Sequence, residues 1–206
     1  MGYCYAIPHY KRHRLRIAVS TILLITILGT PYIMARSDSF FIRASVTPDD
    51  SDSFVFTSID LGSYVDALGK SVLRVHNVSA SITTDTGLAP KMDAGEAGAC
   101  TWQITTQDQL DIVLPANRAV VSSGSVWAFN ADGASAVPAT AYEADMLPQE
   151  WTNGYLIAVE SLQLGARATT NWAATANVTV SVVLECTVET LTQAAAMALA
   201  LSQQGN

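Results

Sequence analysis

ATANVTVSVVLECTV, residues 174–188, alternates apolar and polar side chains with a period of two. Ala174, Ala176, Val178, Val180, Val182, Leu184, Cys186 and Val188 fall on one face. Thr175, Asn177, Thr179, Ser181, Glu185 and Thr187 fall on the other, continued by Glu189, and only Val183 breaks the pattern. Successive side chains of a strand project to opposite faces, so this spacing predicts a strand with one buried and one polar wall. A helix would scatter the same residues around its circumference. Strand propensity of Val and Thr points the same way. Read as the central strand of an antiparallel β-sandwich, the stretch sets the fold class as all-β.

The rest of the chain suits that frame. Of 206 residues, 50% are hydrophobic and only 14% charged, enough apolar surface for one full core and too much for disorder. The formal charge of −7 is unevenly spread. Lys11, Arg12, Arg14 and Arg16 precede Met34 and no acidic residue does, so the body beyond is four units more negative than the whole. An acidic body repels phosphate backbones and argues against a nucleic-acid-binding domain.

Residues 1–35 form a basic plus apolar N-terminal segment: KRHRLR at 11–16, then an uncharged run, Ile17 to Ala35. Nineteen such residues suffice for a signal or a single anchor, with the basic side cytoplasmic. Gly29, Pro31 and the bulky Ile33 oppose that reading, and MARSDSF at 34–40 has the look of a translation start. Signal or anchor and non-native extension both stay open. Residues 36–206 are expected to form a single domain under either.

Within that domain the expected strands are Phe40–Val46, Ser53–Ile59, Ser71–Ile82 with a bulge near His76 and Asn77, Cys100–Thr106, Ile112–Leu114, Ala119–Ser122, Val126–Phe129 and Tyr155–Leu164. Ser123-Gly124 is read as a turn. Asp60 is the expected N-cap of a short helix carrying Leu61, Tyr64, Val65 and Leu68 on one stripe and stopped by Gly69. Residues 83–98 and 130–150 are expected to be long loops. A terminal helix spans about Leu191 to Ser202, with a Thr190/Gln193 capping box and Leu191, Ala194, Ala198 and Leu201 on one side.

No motif of known chemistry stands out. Cys4, Cys100 and Cys186 have no zinc spacing; Cys100 and Cys186 could pair, although buried free thiols are the simpler reading. Asp49, Asp50 and Asp52 follow Pro48 as a solvated turn, in preference to a calcium site. His76 is the single histidine beyond Met34, read as a satisfied strand residue, and no serine elbow or phosphate loop accompanies it. Glu143, Asp145 and Glu150, near Tyr142 and Trp151, are the best carboxylate group for a hydrolase acting on sugars, against the plainer reading of an acidic loop. The four tryptophans are assigned to core and subunit contacts. Asn77-Val78-Ser79 and Asn177-Val178-Thr179 match the glycosylation acceptor but fall in expected strands.

The layout of about eight strands, a short helix after the second and a terminal helix resembles a single jelly-roll capsid protein of a small icosahedral virus, from about Arg36 to Asn206. DLGSYVDALGKSVLRVHNV at 60–78, YLIAVESLQLG at 155–165 and ANVTVSVVLECTVETLTQ at 176–193 carry the resemblance. It implies an antiparallel jelly-roll β-sandwich, a structural role in a virion, and self-association as the main partnership. Family members often carry a basic N-terminal arm for the genome, and here KRHRLR alone could stand in for it. No enzymatic activity, cofactor, metal or small-molecule substrate is expected. Nucleic acid contacts are limited to the basic cluster, and membrane contact requires residues 17–35 to be retained. The alternative is a membrane-anchored or secreted sandwich that binds a glycan or protein partner at the cell envelope.

Overall fold

A computed structural model describes residues 38–48, 52–66, 68, 70–135, 137–138, 140–145, 150–169, 171–172 and 177–204. The side chains of 137–138 and 140–145 are outside the description, as is the N-terminal segment with its basic and apolar runs. The described part is mostly β. Its strands are β1 Phe40–Val46, β2 Val55–Asp60, β3 Ser71–Thr84, β4 Lys91–Met92, β5 Ala97–Thr105, β6 Val120–Phe129, β7 Val137–Pro138, β8 Thr140–Asp145, β9 Glu150–Ile157, β10 Ser161–Ala168 and β11 Val178–Thr190, followed by helix α1, Gln193–Gln204.

Two antiparallel sheets form the sandwich, in the orders β1-β11-β3-β9 and β2-β10-β5-β6-β8, and β4 pairs with β7 apart from them. β11 is an inner strand, paired with β1 on one side and β3 on the other. Val178, Val180, Val182, Leu184 and Cys186 are buried while Thr179, Ser181, Val183 and Glu185 are half-exposed. Ile59, Leu73, Val75, Trp102, Ile104, Leu162, Leu164 and Ala166 meet them in one core between the sheets. Val188 is only half-buried, and residues 173–176, the expected start of the strand, lie outside the described residues. The expected bulge is present: the β3–β11 register slips where Glu185 and Cys186 face Asn77 and Val75, so His76 is the extra residue.

Several expectations are corrected. Asp60 does cap a turn, accepting from the Gly62 amide at 2.8 Å, but no helix follows among the described residues. One turn is closed by the Tyr64 and Val65 amides on the Leu61 carbonyl; the chain then pairs Asp66 with Ser71. Leu61 and Val65 both enter the core, but Tyr64 and Leu68, expected on the same stripe, are exposed. Ser123-Gly124 is no turn. The chain runs straight through β6 because Gly124 lies under the Trp102 indole, where a Cβ would come within 2.8 Å of the ring nitrogen. Ile112–Leu114 is no strand either.

Tyr155–Leu164 is two strands in different sheets, broken at Ala158–Glu160. The Glu160 carbonyl takes the Leu61 amide at 2.8 Å and the Ala158 amide bonds to the Gln203 side chain at 2.9 Å. Neither expected long loop is featureless. The first contains β4 with a buried Met92, and the second contains β7 and β8.

The terminal helix is real, with its faces exchanged. Thr192 caps it, its hydroxyl accepting from the Ala195 amide at 3.3 Å, while Thr190 still belongs to β11. Ala196, Ala200 and Gln203 are the buried positions, packed with Val72 and Ala158. Ala194, Ala198 and Leu201, read from sequence as the packing side, are exposed.

Candidate functional site

Residues Thr106 to Arg118 leave β5 and return to β6 as a strap rather than as strands, and two buried glutamines decide its course. Gln103 stands on the outer face of β5, since Trp102 and Ile104 point into the core. Its side chain holds Val113 at both ends: the amide donates to Oε1 at 3.0 Å and Nε2 donates to the carbonyl. Gln163 on β10 repeats the device on Gln109, whose amide donates at 2.7 Å and whose carbonyl accepts at 3.1 Å. A loop backbone held at two residues by buried side-chain amides has little freedom left. Arg167 adds ion pairs to Asp111 at 3.3 Å and Asp52 at 3.0 Å, tying the strap to the turn before β2.

What this frame holds up is apolar. Leu110 is 93% exposed and Leu114 78%. On β6, Trp127 and Phe129 share the outer face two residues apart, 55% and 54% exposed, opposite the small Ala99 and Ala97 of β5. Phe56 on β2 is exposed opposite Gly165 and stacks on Phe54, ring centroids 6.2 Å apart. Single exposed leucines are ordinary; several large apolar side chains held out on anchored backbone make these residues the candidate site.

The residues singled out from sequence are placed elsewhere. Glu143 and Asp145 lie on β8, at the edge of the five-stranded sheet, and Glu150 opens β9 in the other sheet opposite Asn77. Two sheets therefore share the three carboxylates, and Tyr142 pairs along the backbone with Trp127. Trp151 packs on Tyr155 against the core, with ring centroids 5.7 Å apart. Asp49 and Asp50 lie outside the described residues. The Asp52 carboxylate is taken by Arg167, whose hydrogen bonds hold its pKa below the usual carboxylate range. No group of three His, Cys, Asp or Glu suited to a metal occurs among the described residues.

His76 shares a hydrogen bond of 3.0 Å with the Thr187 hydroxyl. Cys100 and Cys186 are free and buried, and burial raises both thiol pKa values to about 12. Asn77 lies within β3, whereas Asn177 is exposed just ahead of β11, outside the strand expected to contain it. Trp102 and Trp172 are core residues. The strap was missed in the sequence because its hydrogen-bonding partners are side chains 10 and 54 residues away. The consecutive Ile112, Val113 and Leu114 suggested a strand instead.

Comparison with known proteins adds little. No family model matches the chain, and no curated protein matches it. Among solved structures, a chain of Desmodium yellow mottle tymovirus aligns over 80% of this chain and 97% of its own length, with 11% identity and a TM-score of 0.30. No helix among the described residues is long and apolar enough to cross a membrane.

Proposed function

We propose that this chain is a structural subunit that assembles with copies of itself into a closed shell, of the kind from which viral capsids are built. The observation that carries the reading is the rigid apolar display: Leu110, Leu114, Trp127 and Phe129 stand in solvent on a frame of strands and buried glutamines. Uncovered, such a surface is costly; covered by further copies it becomes the core of an interface.

Strand order gives further support. With the two-residue β4 and β7 and the outermost β8 set aside, eight strands remain, and the sheets take the first, eighth, third and sixth against the second, seventh, fourth and fifth. We read this order as the winding of a jelly roll, an architecture common in viral shells. The reading makes the protein's main partner itself and its location the virion. It assigns no catalysis or cofactor, and leaves nucleic acid to the basic cluster at 11–16.

Light scattering and electron microscopy of the purified full chain test it. Particles or oligomers far above the mass of one chain are expected at neutral pH. A strictly monomeric protein over a wide concentration range, with or without divalent ions, would sink the shell and favour a sandwich that binds partners at the cell envelope.

A further inference from the structure

Leu110 is the most exposed large apolar side chain described, yet its backbone is among the best anchored. Gln109 before it is clamped at both amide and carbonyl by Gln163, and Asp111 after it is paired with Arg167. Both clamps come from β10, so the leucine stands out from the outer face of the five-stranded sheet. A backbone fixed in this way loses little conformational freedom when its side chain enters a pocket. Its flank is acidic: Asp108 is exposed and takes part in no ion pair among the described residues.

A second patch, reached by Arg118 at the far end of the same strap, offers the complement. At the β9 edge of the four-stranded sheet, where α1 packs beside it, lies an open cleft of about 510 Å³. Leu156 and Leu199 line it, with Arg118 and Arg74 at its side. Arg74 is committed to Glu189 and to the Asn153 carbonyl. Arg118 is exposed and takes part in no ion pair among the described residues. The cleft thus joins an apolar lining to a free guanidinium, and the strap joins an apolar knob to a free carboxylate.

We infer that copies of this chain join head to tail, Leu110 of one copy entering the Leu156–Leu199 cleft of the next with Asp108 set against Arg118. This inference rests on the shell reading and names the contact within it. Knob and socket are different patches, so the contact is heterologous and repeats from copy to copy, which gives a ring or shell when the rotation closes. The leucine supplies a central desolvated anchor and the charge pair sets the register.

The test uses the full chain with Leu110→Ser, Asp108→Arg, Arg118→Asp and the double variant Asp108→Arg/Arg118→Asp, followed by analytical ultracentrifugation. All substituted side chains are exposed, so far-UV circular dichroism and Tm should match wild type. Leu110→Ser should raise the concentration needed for association at least tenfold. Each charge reversal should weaken association, and the double variant should recover most of the loss, which a merely structural role would not produce. Leu110→Ser assembling like wild type would overturn the contact and leave the shell standing. Weak singles without recovery in the double would overturn the pairing of Asp108 with Arg118. A wild-type chain that never associates would overturn both.

Discussion

Val182 is 1% exposed on the core face of β11 and its neighbour Ser181 is half-exposed on the other. Val182→Asp places an unpaired carboxylate in the core between the sheets, on the strand position flanked by Ala80 of β3 and Ala44 of β1, a penalty of more than about 4 kcal/mol and a large part of any domain's stability. The variant should be insoluble or unfolded, whereas Ser181→Asp should express as a folded chain; equal solubility would mean the faces are misassigned. The two buried cysteines allow a check of the opposite kind. With both pKa values at about 12, neither Cys100 nor Cys186 presents a thiolate at pH 8, and each is shielded by the core. Iodoacetamide should leave them unlabelled in the native protein and label both once it is unfolded. Fast native labelling of either would show that the core opens.

Glu189 illustrates a surface charge with a direction but a small effect. Its hydrogen bonds to Arg74 hold its pKa below the ordinary 4.5, with the charge of Arg74 adding to them. A carboxyl whose folded pKa is depressed stabilises the fold above its unfolded pKa and loses that contribution as pH falls through the folded value. The loss should therefore come below about pH 4.5. Half-exposure limits it to about 1 kcal/mol or less. Denaturant unfolding at pH 7 and pH 3 should show a smaller drop for Glu189→Gln than for wild type; identical drops would remove the pair from the account.

At the level of elements, α1 is held less by its apolar face than by one glutamine. Ala196 and Ala200 bury little area, but Gln203 accepts from the Ala158 amide at 2.9 Å and donates to the Leu156 carbonyl at 2.8 Å. Its own carbonyl takes the Thr106 hydroxyl at 3.1 Å and the Gln107 side-chain Nε2 at 2.7 Å, which links helix, strap and the β9–β10 turn. Gln203→Ala leaves two backbone groups of that turn without their partner, costing about 2 kcal/mol. Chemical denaturation should read that loss, and hydrogen exchange should show α1 opening ahead of the sandwich. A variant as stable as wild type would mean that water replaces the side chain.

For the molecule as a whole, net charge makes a prediction that the fold does not change. A chain of residues 36–206 lacks the KRHRLR cluster and is strongly acidic, so it should not retain single-stranded DNA at physiological salt. Submicromolar binding that weakens steeply with salt would show that its few basic residues gather on one face. The full chain, carrying the cluster, is the proper comparison.

Periodicity alone was enough for the β class, the buried face of β11 and the bulge at His76, because a strand's alternation is a local property that burial on one face must respect. The same local reading failed wherever a distant group supplied the hydrogen bonds. Leu61–Val65 looked helical until Glu160 and Ser71 took its neighbouring backbone groups. Gly124 looked like a turn residue until Trp102, 22 positions earlier, needed its empty Cβ position, and Ile112–Leu114 looked like a strand until Gln103 clamped it as a loop. The exposed display of Leu110 was unreadable in advance for the same reason: a leucine's sequence neighbours suggest burial, and only the folded chain, with Gln163 and Arg167 brought beneath the strap, holds it in water.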